Sequence, residues 1–334
     1  MIGKIAVEEH FAFEGTIAGA EFLHGKSAIW PALRRRLLDL HDERIAQMDK
    51  LGIEMSLLSL NAPVLQAMTN TKEAAELARR ANDFIAGQVA KRPDRFAAYA
   101  ALPMQDPEAS AKELTRCVKE LGFKGTLING FTHREGDSES VVHYDLPEYW
   151  PFWEVVEHLD VPFYLHPRDP VASQQKLYAG QPWLLTAAWA FGVETSTHAL
   201  RLICSGLFDK YPKLNVVLGH LGEGLSFGIW RVDHATVRDP RGITIKKKPS
   251  EYFRSNFYFS TSGNFHTLAL HNLMMEVGCD RIMFAADYPY EPMDEAAEWF
   301  DGASINETDR LKIARTNALK LFKLGGNKSS SAHV

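Results

Sequence analysis

The stretch IAVEEHF, starting at residue 5, is an apolar run of strand type that ends on Glu8, Glu9 and His10. Alternation along a strand puts Glu8 and His10 on one face. A carboxylate buried there is costly unless something compensates its charge. Other apolar runs end in the same kind of residue: PFYL in His166, NVVLG in His220 and RIMFAA in Asp287. Two softer endings accompany them, Asn129 after KGTLI and the pair Thr261 and Ser262 after FYFS. Imidazoles and carboxylates gathered from such ends suit a borderline divalent cation such as Zn2+ or Mn2+. Taken singly, each has a plainer reading. Glu8 and His10 could be a solvated strand end, His166 a hydrogen-bonded core imidazole, His220 a helix cap, and Asp287 the N-cap of a helix near 292. The joint placement is what points to a metal.

The order of elements decides whether these residues can meet. Strand candidates fall at 4–10, 54–60, 95–102, 124–129, 162–167, 215–220, 257–262 and 281–289. Several are apolar without strict alternation, as in a sheet covered on both faces. Helical patterns lie between them at 71–92, 106–122, 148–160, 190–210, 264–278 and 306–323. The first has Thr71 as candidate N-cap; the second has Asp106 as cap, Pro107 at the first position and Gly122 as stop. Eight strands, each followed by helical sequence, predict an α/β fold of the (β/α)8 TIM-barrel type, whose active sites gather at the C-terminal ends of the strands. The competing architecture is an open doubly wound sheet, against which no G-x-G-x-x-G follows the first strand. One domain over 1–324 is expected. Insertions near 11–42 and 168–190 would wall or cover the site, and 325–334 would be a disordered tail. His24, in the first insertion, is either a substrate contact or a solvated loop histidine.

The 334 residues are 46% hydrophobic and 24% charged, with a formal net charge of -5. That is the balance of an ordinary globule with a sizeable core. It excludes the basic surface that non-specific nucleic-acid binding needs. The runs Arg34-Arg35-Arg36 and Lys246-Lys247-Lys248 read as solvated faces. Cys117, Cys204 and Cys279 are far apart and odd in number, which suits thiols in a reducing compartment. No signal-peptide pattern precedes the first strand and no apolar run reaches membrane-spanning length, so a cytoplasmic protein is expected.

On these residues the chain resembles the decarboxylase branch of the amidohydrolase superfamily, the group containing aminocarboxymuconate semialdehyde decarboxylase. Within it, the resemblance is to the o-hydroxybenzoate decarboxylases of the γ-resorcylate (2,6-dihydroxybenzoate) type. It runs from GKIAVEEHF to NALKLFKL and includes RPDRFAAYAALPMQDPEASAKEL, LDVPFYLHPRDP, SGLFDKYPKLNVVLGHLGEGL and TSGNF. The resemblance implies an amidohydrolase-type barrel, one divalent ion (Zn2+ or Mn2+) and no organic cofactor. By motif match the ion's ligands would be Glu8, His10, His166 and Asp287. The catalytic groups would be Asp287 and His220 with its carboxylate partner Glu223, and substrate would meet Arg231, Asn129 and Phe265. The family also implies a small aromatic carboxylate as substrate and a homotetramer as the assembly. EEHF in place of EEAF favours the 2,6-dihydroxybenzoate type over the 2,3-dihydroxybenzoate type.

The residues also bear on reaction class. Hydrolytic members of the superfamily commonly carry HxH on the first strand and, when binuclear, a lysine at the end of the fourth. Here those places hold Glu8 and Asn129. This favours one ion and a lyase. Asp287 would deliver a proton to the ring carbon bearing the carboxylate, and CO2 would leave as aromaticity returns. That role asks for a raised effective pKa at Asp287, with His220 and Glu223 moving the proton. Two other readings stand beside it: a metal-dependent hydrolase of a lactone or amide, and a barrel that binds an aromatic acid without turning it over.

Overall fold

Lys4–Phe11 contains neither glycine nor proline and is buried at every position, as a strand covered on both faces must be. In the computed structural model, which describes residues 1–325 apart from the side chains of 22–24, this segment is β1. It is followed by β2 (Ile53–Leu60), β3 (Phe96–Ala98) and β4 (Thr126–Asn129). An antiparallel hairpin unforeseen in the sequence comes next, β5 (Thr132–Arg134) and β6 (Asp137–Val142). The remaining strands are β7 (Phe163–His166), β8 (Val216–Leu218), β9 (Phe257–Ser260) and β10 (Ile282–Met283). Parallel pairing runs β1-β2-β3 and β4-β7-β8-β9-β10. Single parallel bridges join Ala100 to Thr126 and Glu9 to Tyr288. Outside the hairpin the strands therefore form one closed ring, the (β/α)8 barrel.

Helices alternate with these strands. The first insertion holds α1 (Ile17–His24) and α2 (Trp30–Leu38), after which α3 (Glu43–Leu51) returns the chain to β2. Then come α4 (Thr71–Val89), α5 (Pro107–Lys119) and α6 (Trp150–Leu159). The insertion at 168–190 contains only short 3-10 turns and leads into α7 (Ala190–Cys204) and α8 (Leu207–Lys210). After β8 the chain forms α9 (Leu225–Arg238) and α10 (Pro249–Asn256). The rest are α11 (Thr267–Val277), α12 (Met293–Gly302), α13 (Glu307–Leu311) and α14 (Asn317–Leu321). None of the described helices is long and apolar enough to cross a membrane.

Several local expectations need correction. Asn70, not Thr71, caps α4, its side chain accepting the Glu73 N–H. Asp106 does cap α5, accepting from Glu108 and Ala109, but the helix ends at Lys119 before reaching Gly122. The segment read as one helix over 190–210 breaks at Gly206, where φ is 83°. α9 escaped notice because Phe227 and Trp230, 88% and 67% exposed, put apolar residues on its outer face and blur the helical period. The expected tail lies, beyond Gly325, outside the described residues.

Inside the barrel Ile5, Val7, Leu57, Tyr164, Val217 and Met283 form one buried cluster, with Phe322 beyond α14 packing against it. A larger cluster fills the space between strands and helices. One irregularity matters for the site. Ala6 of β1 pairs with Ser56, but Glu9 pairs with Leu58, three residues against two. This is a β-bulge, which re-aims side chains. Val7 belongs to the inner cluster, and so, one residue on, the Glu8 carboxylate also turns inward to meet Tyr164. Without the bulge Glu9 would take that place.

Packing in the outer shell yields a stability prediction. Trp153 is fully buried, donates its indole N–H to the Tyr144 carbonyl at 2.8 Å and lies 4.7 Å from the Phe163 ring. Trp153→Ala should cost about 3–5 kcal/mol, the usual scale for emptying an aromatic site, measured by urea denaturation.

Candidate active site

Glu8 enters the barrel with two unlike oxygens. Oε2 accepts from the Tyr164 hydroxyl and lies 3.1 Å from Ser260 Oγ. Oε1 is buried with no hydrogen-bond donor among the described residues. It faces His166 Nε2 at 3.4 Å, His220 Nε2 at 3.8 Å and His10 Nε2 at 3.9 Å. Burial pushes the Glu8 carboxyl above its ordinary range. A cation beside Oε1 would reverse that.

The imidazoles are set to offer lone pairs. His166 Nδ1 lies 3.0 Å from the Pro167 carbonyl, which can only accept, so Nδ1 carries the proton and Nε2 the lone pair. His10 Nδ1 lies 3.0 Å from Ser59 Oγ, and that hydroxyl reaches the Glu9 carbonyl at 3.4 Å. Ser59 thus donates onward and accepts from His10, again leaving Nε2 bare. Burial and the neighbouring His10 keep His166 neutral, well below its ordinary value. His10 Nε2 then stands 3.0 Å from Asp287 Oδ1, two buried acceptors with no proton between them. Only a cation makes that approach favourable. Ligand bonds of about 2.0–2.2 Å put the ligand atoms of a tetrahedral ion roughly 3.4 Å apart. One atom each from Glu8, His10, His166 and Asp287 lie within 4.8 Å of one another. Two nitrogens and two carboxylate oxygens suit Zn2+ or Mn2+, so the residues fit the expected ion.

His220 arrives by a strained route. His220, Leu221, Gly222, Glu223 and Gly224 all have positive φ, at 52°, 56°, 81°, 56° and 76°. Left-handed backbone costs a non-glycine residue roughly 1–2 kcal/mol. The turn is held by Leu221 N–H to the Ser260 carbonyl at 2.8 Å and by Ser196 Oγ to the Glu223 carbonyl at 3.0 Å. It folds Glu223 back onto His220, whose Nδ1 donates to Glu223 Oε1 at 2.6 Å. The other nitrogen lies 3.6 Å from Asp287 Oδ2. Burial alone would lower His220, but the Glu223 and Asp287 carboxylates outweigh it and hold the ring well above its ordinary value. Asp287 departs from expectation. Burial alone would raise it, yet the facing His10 and His220 imidazoles hold it below the usual carboxylate range. The proton expected on Asp287 therefore resides on His220.

The plainer readings of two residues fall away. Gly224, not His220, precedes α9 as its cap, and Pro292, not Asp287, caps α12. The other candidates are less tightly gathered. Asn129 is buried beside His166 in the β4–β7 ladder, with Oδ1 lacking a donor among the described residues. Phe265 packs on the Trp299 ring at 5.9 Å. Arg231 is exposed on α9. The His24 side chain lies outside the described residues. Thr261 serves the backbone, donating to the Ala285 carbonyl at 2.8 Å. Sequence reading missed Ser59, Tyr164, Ser260 and Tyr290, whose ring stands edge-on to His10 at 5.3 Å. Tyr164 was within reach, two residues before His166 on the same strand face.

A second group, His143, Glu194 and His198, has similar composition. It is not built for a metal. His198 Nε2 accepts the Tyr144 N–H at 3.1 Å, so Nδ1 carries the proton that faces Glu194 at 3.7 Å. His198 is a buried packing histidine.

Gly219 keeps room for Glu8: a Cβ there would stand 2.8 Å from Glu8 Oε2. Elemental analysis should find about one ion per wild-type chain, by the four-ligand count. Gly219→Ala should lose most of it and melt below the wild-type temperature, because the added methyl overpacks the buried Glu8 and the stabilising ion is lost.

Comparisons with known proteins agree with this geometry. Residues 27–324 match the family model described as Amidohydrolase. Gamma-resorcylate decarboxylase of Polaromonas sp. (strain JS666) is 55% identical over 327 residues, covering 97% of this chain and 99% of that protein. The crystal structure of 2,6-dihydroxybenzoate decarboxylase complexed with 2,6-dihydroxybenzoate superposes with a TM-score of 0.94 at 52% identity, covering 97% of this chain and 100% of that one. So does the Polaromonas sp. JS666 dihydroxybenzoic acid decarboxylase with bound manganese and 2-nitroresorcinol, at 0.94 and 53% with all of both chains covered. A closed barrel whose strand ends bring two histidines and two carboxylates to one point thus has a place among known proteins: the chain belongs to the amidohydrolase family.

Proposed function

We propose that this protein is a metal-dependent carboxy-lyase that converts an o-hydroxybenzoate of the 2,6-dihydroxybenzoate type into a phenol and CO2 without oxidation. The observation that carries the reading is the His220–Glu223 pair set against Asp287 beside four convergent ligand atoms. The Polaromonas decarboxylase, 55% identical across nearly the whole chain, supports the substrate class. Glu8, His10, His166 and Asp287 are the ligands, and the manganese-bound relative supports Mn2+ as the ion. When bound, the ion supplies Lewis-acid chemistry and an anchor for adjacent carboxylate and phenolic oxygens.

The chain's own groups handle the proton. Glu223 holds His220 in its imidazolium form. Asp287 Oδ2 faces that imidazolium, receives its proton and delivers it to the ring carbon bearing the carboxylate. The carbon–carbon bond then breaks, its electrons return to the ring, and CO2 leaves. Asn129 and Phe265 line the substrate. Neutral His166 and the hydrogen-bonded Glu8 keep the anchor fixed while charge moves.

We read the assembly as a homotetramer. Support comes from large apolar side chains left exposed, Phe227 and Trp230 on α9 and Trp183 and Trp189 from the second insertion. Exposed apolar surface of this kind calls for a covering partner. Arg231 stands in that surface next to Trp230, from which it would reach substrate across a subunit contact.

Two outcomes test the proposal. Asp287→Asn keeps shape but cannot carry the proton, so turnover should fall by about 10²–10⁴, as for loss of a general acid. Near-normal turnover would remove Asp287 from the chemistry. 2,6-Dihydroxybenzoate should be decarboxylated and 4-hydroxybenzoate should not, because only an ortho hydroxyl can share the anchor with the carboxylate. In D2O the product should carry one deuterium at the carbon that lost CO2. Comparable rates on the two acids would overturn the chelate.

A further inference from the structure

Glu9 stands between two proposed ligands yet faces away from them. It pairs with Leu58 of β2 and is fully buried. Its two oxygens accept the N–H groups on either side of Asp287, Oε1 from Ala286 at 2.9 Å and Oε2 from Tyr288 at 3.1 Å. The N–H of Asp287 itself goes to the Glu8 carbonyl at 3.1 Å. Three successive N–H groups are thus claimed by Glu8 and Glu9. A regular ladder bonds only alternate residues to one neighbour, so the Glu9 side chain supplies the acceptors that the main chain of β1 lacks. Asp287 has φ 69°, left-handed backbone that an L-residue resists. It persists because both flanking peptides are gripped. Burial pushes the Glu9 carboxyl up to about 8, against the pull of the Ala286 and Tyr288 N–H groups and of the buried Arg44, which donates to the His10 carbonyl at 2.6 Å and lies over the Tyr288 ring at 4.8 Å.

We propose that Glu9 is a positioning residue of the decarboxylation: its carboxylate fixes the left-handed turn that aims Asp287, without touching substrate or metal. This rests on the function proposed above. Glutamine at this place has the same shape but one acceptor oxygen, and turns an NH2 toward one of the two N–H groups. Aspartate keeps two acceptor oxygens but is too short to span both N–H groups.

The test compares full-length wild type, Glu9→Gln and Glu9→Asp, each loaded with manganese. For both variants kcat on 2,6-dihydroxybenzoate should fall roughly 100-fold, the effect of a slightly misplaced group, while KM and manganese content stay at wild-type values. The Mn2+ electron paramagnetic resonance spectrum without substrate should change shape in both, because Asp287 is a proposed ligand. Wild-type kcat in either variant overturns the proposal. So does a loss of kcat in proportion to lost manganese, which is what a merely structural residue would give. If Glu9→Gln fails to fold, Glu9→Asp decides alone. If wild type itself does not turn over the acid, the function proposed above fails separately, and an unchanged Mn2+ spectrum in the variants would still overturn the role of Glu9.

Discussion

A single buried oxygen, Glu8 Oε1, sets the terms for the rest of the molecule. Its twin is held by Tyr164 and Ser260, but no donor among the described residues reaches it. An ionised oxygen in that condition is unstable in a low-dielectric interior. Relief has to come from a cation, and a cation needs further ligands within about 2 Å. Those ligands come from strands far apart in sequence, so they can meet only if the ring of strands closes. The bridge between Glu9 and Tyr288, which seals the ring between β1 and β10, is therefore as much part of the site as the ligands it sits between.

Closure alone does not aim the side chains. At the ends of β8 and β10 the chain departs from extended backbone, with His220, Leu221, Glu223 and Asp287 all left-handed. Such conformations persist where the surroundings over-determine them. Here the restraint comes from buried hydrogen bonds between neighbouring strand ends, Leu221 to Ser260 and Asp287 to Glu8. The barrel contributes rigidity, and the turns convert it into placement of an imidazole and a carboxylate. The result is a proton held on His220 next to an aspartate that prefers to be ionised, ready to transfer when a substrate alters the balance.

Much of this was legible in the sequence. Eight apolar runs with helical spacers pointed to a barrel, and ionisable residues at their ends pointed to one rim. What stayed hidden was whatever depends on register. Ser260 reads as a small residue inside an apolar strand until its neighbour across the barrel is known to be Glu8. The low Asp287 carboxyl could not be foreseen either, since it is set by His10 and His220 rather than by its own segment. The hairpin β5–β6 is largely polar and lacked the apolar alternation that marks a buried strand.

The bulge in β1 carries a consequence for anyone rebuilding this centre elsewhere. An idealised eight-stranded scaffold has strict inward–outward alternation, so no strand can turn two successive side chains toward the axis. Copying Glu8 and His10 onto such a scaffold forces a choice: either Val7 leaves the interior layer beneath the ligands, or the ligands point into the helical shell. A faithful transplant must carry one surplus residue in its first strand, and the scaffold must tolerate the local twist that comes with it. Removing Val7 from the natural chain would restore plain alternation with Glu8 and His10 still inward, and would take away the apolar side chain beneath them.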